Sequence, residues 1–203
     1  AISACEKGAQ WLHALTLYAS MPNLRVAPNT VVCSAAISAC EKGYEWKHAL
    51  ALFESMPGLR VVPNTISCNA AISACEKGYR WQHALALLET MPRLEVVPDA
   101  ISFNAVISAC EKGLQWQHAL ALLDAMPSLY AAPDTFSCNA AISACEKGFQ
   151  WERALALFHS MLGLRILRNT VSFNAAIAAC EKVSRWQFAL ILFTSMASLR
   201  AMP

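Results

Sequence analysis

A single eight-residue block recurs along this chain at a fixed spacing of 35 residues. The block Ala-Ile-Ser-Ala-Cys-Glu-Lys-Gly occupies residues 1–8, 36–43, 71–78 and 141–148, and close variants occupy 106–113 and 176–183. All the tryptophans keep the same step without an insertion, at Trp11, Trp46, Trp81, Trp116, Trp151 and Trp186. A gap-free period of this length is typical of solenoids, in which each repeat buries its apolar face against its neighbours.

The repeat boundaries follow the Pro-Asn or Pro-Asp pairs. This division gives full repeats at 30–64, 65–99, 100–134 and 135–169, a partial repeat at 1–29 and a nearly complete one at 170–203. We interpret residues 1–203 as a single array. Because it starts and stops within a repeat, we expect it to be a fragment of a longer protein.

Each repeat is predicted to form two helices. In repeat 65–99 the first helix runs from about Ser67 to Lys77, after an Asn that can cap it. Gly78 follows, where a left-handed C-cap residue is favoured. The second helix runs from about Trp81 to Met91, because Pro92 disfavours helix at the residue before it. The sequence therefore predicts an all-α fold.

The first helix has two different faces at about 100° per residue. Cys68, Ile72 and Cys75 form an apolar stripe. The opposite side carries a mostly polar set, Ile66, Asn69, Ser73, Glu76 and Lys77. Stacked hairpins would align these sets into one continuous surface.

Composition excludes several classes of function. Apolar residues make up 56% of the chain, yet the stretches without a charge are far shorter than the roughly 20 residues that span a bilayer. We therefore expect no membrane partner.

The nine cysteines form no C-x-x-C pair, which predicts free thiols packed in the core and a reducing compartment. The repeated histidines lack ligand partners at metal-binding spacing, so we expect no metal and no cofactor.

The repeat resembles the pentatricopeptide family over the whole chain. In repeat 65–99 the resemblance rests on Thr-Ile-Ser-Cys-Asn at 65–69, on Ile72, on Lys77-Gly78, on the leucine-rich second helix that ends at Met91, and on the closing Pro98-Asp99. The resemblance implies a right-handed α-solenoid superhelix of helix-turn-helix repeats. It also implies single-stranded RNA as the partner, read at one base per repeat.

The same resemblance implies three kinds of functional position. The fifth and last residues of each repeat would read base edges, and these are Asn29, Ser34, Asn64, Asn69, Asp99, Asn104, Asp134, Asn139, Asn169 and Asn174. The second residue would pack against base faces, and these are Val31, Ile66, Ile101, Phe136 and Val171. The thirteenth would reach phosphates, and these are Lys7, Lys42, Lys77, Lys112, Lys147 and Lys182.

By the family's recognition rules the complete pairs imply adenine, uracil, uracil and then cytosine or uracil, from 5′ to 3′ along the chain. Three features depart from the family pattern. A glutamate precedes every lysine and offsets its charge, Val183 stands where glycine is usual, and Arg168 replaces the proline before Asn169.

Two other functions remain open at this stage. A protein-binding solenoid of the tetratricopeptide kind has a similar hairpin, but it has a 34-residue step and usually a small residue where Ile72 stands here. An RNA-processing enzyme could carry such an array beside a catalytic domain, yet the chain shows no catalytic motif, and we expect no enzyme activity. The family resemblance suggests a mitochondrion or plastid and other RNA-processing proteins as further partners.

Overall fold

The computed structural model describes residues 1–200, which form helical hairpins joined by short loops. The helices are α1 (Ile2–Lys7), α2 (Trp11–Ser20), α3 (Thr30–Lys42), α4 (Trp46–Ser55), α5 (Thr65–Lys77), α6 (Trp81–Thr90), α7 (Ala100–Lys112), α8 (Trp116–Ala125), α9 (Thr135–Lys147), α10 (Trp151–Gly163), α11 (Thr170–Lys182) and α12 (Trp186–Arg200). Every repeat thus contributes two helices, and the predicted all-α class is confirmed.

The chain divides within α7 into two compact units, Ala1–Ala109 and the residues from Cys110 onward. In the first unit α1, α3 and α5 pack side by side, and α2, α4 and α6 pack against them. In the second unit α9 packs against α11, and α8, α10 and α12 pack against these two. Each unit is therefore built from two layers, with the first helix of every hairpin in one layer and the second helix in the other.

From α3 onward, the first helix of each hairpin begins at a side-chain cap. The Ser67 backbone N–H donates to Asn64 Oδ1 at 2.9 Å, and the Asn64 backbone N–H donates to Ser67 Oγ at 2.9 Å. This reciprocal capping box satisfies donors that the helix itself cannot use. It also starts α5 at Thr65, two residues before the predicted Ser67.

The turn between the two helices differs from the prediction at Gly78. Gly78 has φ −82°, which any residue can adopt, and the left-handed residue is the next one, Tyr79, with φ 58°. The Arg80 backbone N–H donates to the Cys75 carbonyl at 2.9 Å and closes the turn. The prediction of a left-handed Gly78 is therefore wrong, and backbone freedom does not explain why glycine is used there.

The glycine is explained by the tryptophan of the preceding hairpin. A Cβ on Gly78 would lie 2.5 Å from Cδ1 of Trp46, and Gly43 and Gly148 face Trp11 and Trp116 in the same way. This close approach lets the indole cover the turn of the next repeat. These tryptophans therefore pack between repeats.

A second group lies against each of these indoles. The His83 ring lies 5.7 Å from Trp46, the Arg153 guanidinium 4.9 Å from Trp116, and the Phe188 ring 5.3 Å from Trp151. These three residues occupy equivalent places in their repeats. An imidazole, a guanidinium and a phenyl ring can each pack against an indole, which is why such different side chains can replace one another. His48 and His83 make this contact with an indole, and the sequence alone did not reveal it.

The second helix ends where proline follows its methionine. Pro57, Pro92 and Pro127 each enter a short 3-10 turn, whereas Leu162 stands at the equivalent place in the hairpin of α9 and α10. Leucine does not interrupt backbone hydrogen bonding, and α10 accordingly continues to Gly163.

The core lies between the two layers. Ile37, Ile72 and Ile142 are fully buried, as are Met56 and Met91. Burying an aliphatic side chain of this size contributes about 1.5–3 kcal/mol. Among the described residues no helix is long and apolar enough to cross a bilayer.

Candidate nucleic-acid interface

From α3 onward, each first helix presents an apolar side chain to solvent one residue after its first position. The exposed fractions are 70% for Val31, 64% for Ile66, 62% for Ile101 and 58% for both Phe136 and Val171. In the last four of these helices the next residue in the chain is a buried serine, such as Ser67. An exposed apolar side chain that recurs at the same position of successive repeats supplies an apolar surface against which a planar ring can pack.

The fifth and last residues of a repeat meet in space although 30 positions separate them. Asn69 Nδ2 donates to Asp99 Oδ1 at 3.1 Å, and Asn139 Nδ2 donates to Asn169 Oδ1 at 3.2 Å. Ser34 Oγ donates to Asn64 Oδ1 at 3.5 Å. Three of the predicted base-reading pairs are therefore brought together beside the exposed apolar residues.

The remaining predicted readers differ in their surroundings. Asn104 and Asp134 are both half-buried and belong to different compact units. Asn29 is exposed and caps α3, and Asn174 is exposed on α11. Ser34 is the least accessible of the set, with 6% of its surface exposed.

A buried serine connects neighbouring repeats at this site. Ser102 Oγ donates to Asn69 Oδ1 at 2.6 Å, and Ser172 Oγ donates to Asn139 Oδ1 at the same distance. These bonds turn the amide oxygen inward and orient the NH2 group toward Asp99 or Asn169. The serine was not predicted as part of the site, although its recurrence three residues after the capping Asn or Asp was a usable signal.

Asp99 is held as a carboxylate. Burial by itself raises its pKa, but the hydrogen bonds from Ser102 and Asn69 outweigh it and lower the pKa below the usual aspartate value. The hydrogen bonds from Asn69 Nδ2 and from the Ser102 backbone N–H and hydroxyl all fall on Oδ1.

The lysines at the other end of the first helices are paired across repeats. Lys77 Nζ lies 2.6 Å from Glu41 Oε1, Lys147 lies 2.8 Å from Glu111, and Lys182 lies 2.6 Å from Glu146. The compensating glutamate therefore belongs to the preceding repeat and is not the sequence neighbour of the lysine. The positive charge at this edge is locally offset, and a phosphate would compete with a carboxylate for each lysine.

Serines and aromatic rings complete this edge. Ser143 Oγ donates to Glu111 Oε1 at 2.9 Å, which holds the carboxylate in place. The Lys77 ammonium lies 5.5 Å from the Tyr44 ring and the Lys182 ammonium 5.8 Å from the Phe149 ring. Both rings are exposed, so each lysine lies between a carboxylate and an aromatic face.

The cysteines have no part in this surface. Cys33, Cys68, Cys75 and Cys145 are buried, and all nine are free thiols. Burial raises the pKa of Cys75 to about 12, which keeps the thiol protonated and unreactive at neutral pH. The prediction that they pack in the core is confirmed for the buried ones, and Cys5, at the open end of α1, is only partly buried.

Solved structures with the same arrangement of hairpins are known. The pentatricopeptide repeat protein PPR10 from maize superposes with a TM-score of 0.72 at 24% identity, covering 97% of this chain and 28% of that one. The structure of PPR10 in complex with an 18-nt psaJ RNA element matches at 0.67 and 22%, covering 100% and 28%. The PPR domain of Arabidopsis thaliana protein-only RNase P 1, in complex with tRNA, matches at 0.73 and 12%, covering 86% and 92%.

No curated protein matches the sequence closely. The profile of the PPR repeat matches residues 31–61, 66–96, 101–129 and 136–166, which together make up more than half of the chain. The matched segments begin at the exposed apolar residue of each full repeat. The chain therefore belongs to the pentatricopeptide repeat family.

Proposed function

We propose that this chain binds single-stranded RNA, with one base meeting each repeat at the paired fifth and last residues. The observation that carries the proposal is the pairing of Asn69 with Asp99 and of Asn139 with Asn169, each beside an exposed apolar side chain. Amide and carboxylate tips supply donors and acceptors for a base edge, and the apolar side chains supply contacts for base faces. The solved structure of PPR10 with RNA supports the same partner.

The predicted nucleotide order is adenine, uracil, uracil and then cytosine or uracil. Family membership also supports an organellar transcript as the target, with RNA processing, stabilisation or translation as the outcome. Nothing in the proposal requires the chain itself to cleave or modify RNA. The lysines contribute an electrostatic component that the cross-repeat glutamates reduce.

Replacing Asp99 with asparagine tests the base-reading role. The variant keeps an oxygen that can cap α7 but exchanges a carboxylate oxygen for an NH2 group, so the preferred base at the second nucleotide should shift from uracil toward cytosine. We expect the ratio of the two affinities to change by about 1–2 kcal/mol, roughly 5- to 30-fold. Titration of four RNAs that differ only at that nucleotide measures it.

Asp124→Asn is the matched control, because Asp124 is an exposed carboxylate on a second helix. It removes the same charge and should leave the base preference unchanged. If Asp99→Asn changes all four affinities by the same factor, Asp99 does not read a base.

The cross-repeat ion pairs make a separate prediction. In Glu41→Gln the Lys77 ammonium loses its carboxylate partner and becomes available to a phosphate, so RNA affinity should rise severalfold. The dependence of log K on log salt concentration should steepen by up to about 0.7 for one added contact. The loss of a partly exposed ion pair should cost the fold less than about 1 kcal/mol. Filter binding across a salt series checks this, with Glu54→Gln as the exposed control.

A further inference from the structure

Two open grooves lie between neighbouring second helices, one in each compact unit. The groove between α4 and α6 has a volume of about 330 Å³, and the groove between α8 and α10 has a volume of about 500 Å³. Volumes of this size are typical of ligand sites. Equivalent repeat positions line both grooves, and these include Phe53, Glu54 and Pro63 in the first and Leu123, Asp124 and Pro133 in the second. The base-reading pairs do not line either groove, so base reading does not account for them.

An arginine of the chain itself occupies one equivalent groove. Arg168 stands at the repeat position where Pro63 lines the first open groove. The Arg168 guanidinium lies 4.2 Å from the centre of the Phe158 ring, and its Nη2 donates to the His159 carbonyl at 3.1 Å. Phe158 and His159 hold the same repeat positions as the aromatic ring and the carboxylate of the first open groove. This groove therefore accommodates a planar cation that packs on an aromatic face.

A tyrosine enters another equivalent groove. Tyr18 stands at the repeat position of Phe53 and Leu123, and its hydroxyl lies 3.6 Å from Cys33 Sγ. Cys33 is the counterpart of Cys138, which lines the second open groove. Polar side chains of the chain thus enter this groove in two junctions between repeats, whereas it stays open in two others.

The open grooves suit an arginine better than the occupied one does. Arg168 bonds a backbone carbonyl, and its buried Nε has no hydrogen-bond partner among the described residues. At the position of His159 the open grooves carry a carboxylate, Glu54 or Asp124. Both carboxylates are exposed and make no ion pair within the described part of the chain. Each lies in the last turn of its helix, where the helix dipole also favours a cation.

The remaining lining indicates the source of such an arginine. No lysine or arginine is present among the described residues that line the first groove, so the α-carboxylate of a free amino acid would meet no cation there. Leu50, Leu87 and Leu94 instead provide apolar surface on which a methylene stem can pack. An arginine within a polypeptide has no free α-carboxylate and fits this combination.

We propose that the groove between α4 and α6 binds an arginine side chain of a partner protein. The guanidinium packs on the Phe53 ring and pairs with the Glu54 carboxylate, and the stem packs on the leucines. The groove between α8 and α10 binds the same group less tightly, because Leu123 offers no aromatic face. Second helices form most of this site, whereas base reading uses the first helices, so the site does not depend on the proposed RNA binding.

Titration with the peptide acetyl-Gly-Arg-Gly-amide tests the proposal. The methyl NMR signals of Leu50, Leu87 and Leu94 should shift and reach saturation as the peptide is added. The same peptide with citrulline, an uncharged isostere of arginine, or with lysine, which lacks the planar fork, should bind at least about fivefold more weakly. Free arginine should bind no more tightly than the arginine peptide.

Substitution at Pro63 tests whether the groove itself takes the arginine. Pro63→Arg reproduces the arrangement of Arg168 and should abolish peptide binding, because the chain then fills its own groove. Pro63→Gln is the matched control, since it removes the same proline without adding charge, and it should retain binding. Glu54→Gln should weaken binding at least about fivefold, whereas Asp124→Asn, in the other groove, should leave the titration of the Leu50 signal unchanged. Circular dichroism confirms that each variant is folded.

Several outcomes overturn the proposal. These are the lack of a saturable shift at the groove leucines, equal affinity for the arginine and citrulline peptides or for the arginine and lysine peptides, and unchanged peptide binding by Pro63→Arg. Tighter binding of free arginine than of the peptide would assign the groove to a small molecule instead. Shifts of the same signals by RNA of the predicted sequence, without a response to the peptide, would assign it to RNA.

Discussion

Replacing Ile66 and Phe136 together with serine is expected to weaken RNA binding by about 2–6 kcal/mol, while the free energy of unfolding changes little. Contacts with a base face contribute roughly 1–3 kcal/mol per base, and two such contacts are removed. The two side chains are 64% and 58% exposed, so serine leaves no cavity in the core. Isothermal titration with the predicted RNA measures the first quantity, and urea unfolding measures the second.

Leu162 and Leu164 provide a control with the same exposed fractions, 64% and 58%. They lie at the end of α10 and just after it, outside the first helices that carry the paired amides. Serine at both positions should leave RNA affinity unchanged. Equal losses in the two double variants would mean that exposed apolar surface in general, and not the second position of each repeat, determines binding.

Gly78→Val should destabilise the fold by about 1–3 kcal/mol, the usual cost of forcing extra atoms into a packed contact. The φ of −82° at Gly78 suits valine, and Val183 occupies the equivalent place with φ −110°, so the backbone does not oppose the change. The cost arises because the new Cβ lies 2.5 Å from Trp46 Cδ1 and displaces the indole. Urea unfolding followed by circular dichroism measures it.

A double-mutant cycle distinguishes a clash with the indole from a change in the turn as the cause of the destabilisation. If the clash is the cause, Gly78→Val should cost much less in a Trp46→Ala background, giving a coupling energy of about 1 kcal/mol or more. Gly58→Val, where no atom lies within 4 Å of the added Cβ, should be close to neutral. Additive effects of Gly78→Val and Trp46→Ala would instead assign the cost to the turn itself.

The fold could be predicted from sequence because the repeat marks its own helix ends. Asn64, Lys77, Trp81 and Met91 recur at fixed positions, and the helices begin or end within about two residues of those signals. The two faces of the first helix also follow from helical periodicity, as exposed Ile66 and buried Ile72 show. Local chemistry determines these features, so one repeat contains the information.

Contacts between repeats could not be predicted in this way. The pairing of Lys77 with Glu41, the bond from Ser102 to Asn69 and the stacking of His83 on Trp46 depend on how far one hairpin is displaced relative to the next. Periodicity within a helix does not determine that displacement. The error at Gly78 has the same origin, because its cause is a residue 32 positions away.

At the start of each first helix, the last residue of the preceding repeat does two things at once. Asn64, Asp99 and Asn169 each accept a backbone N–H from the helix that follows and also bond the fifth residue of their own repeat. Exchanges among asparagine, aspartate, serine and threonine keep the helix start intact, whereas a residue that cannot accept that bond costs about 1 kcal/mol. Under the proposed base reading, a change of target sequence can therefore use only a few residues at this position without weakening the start of the next helix.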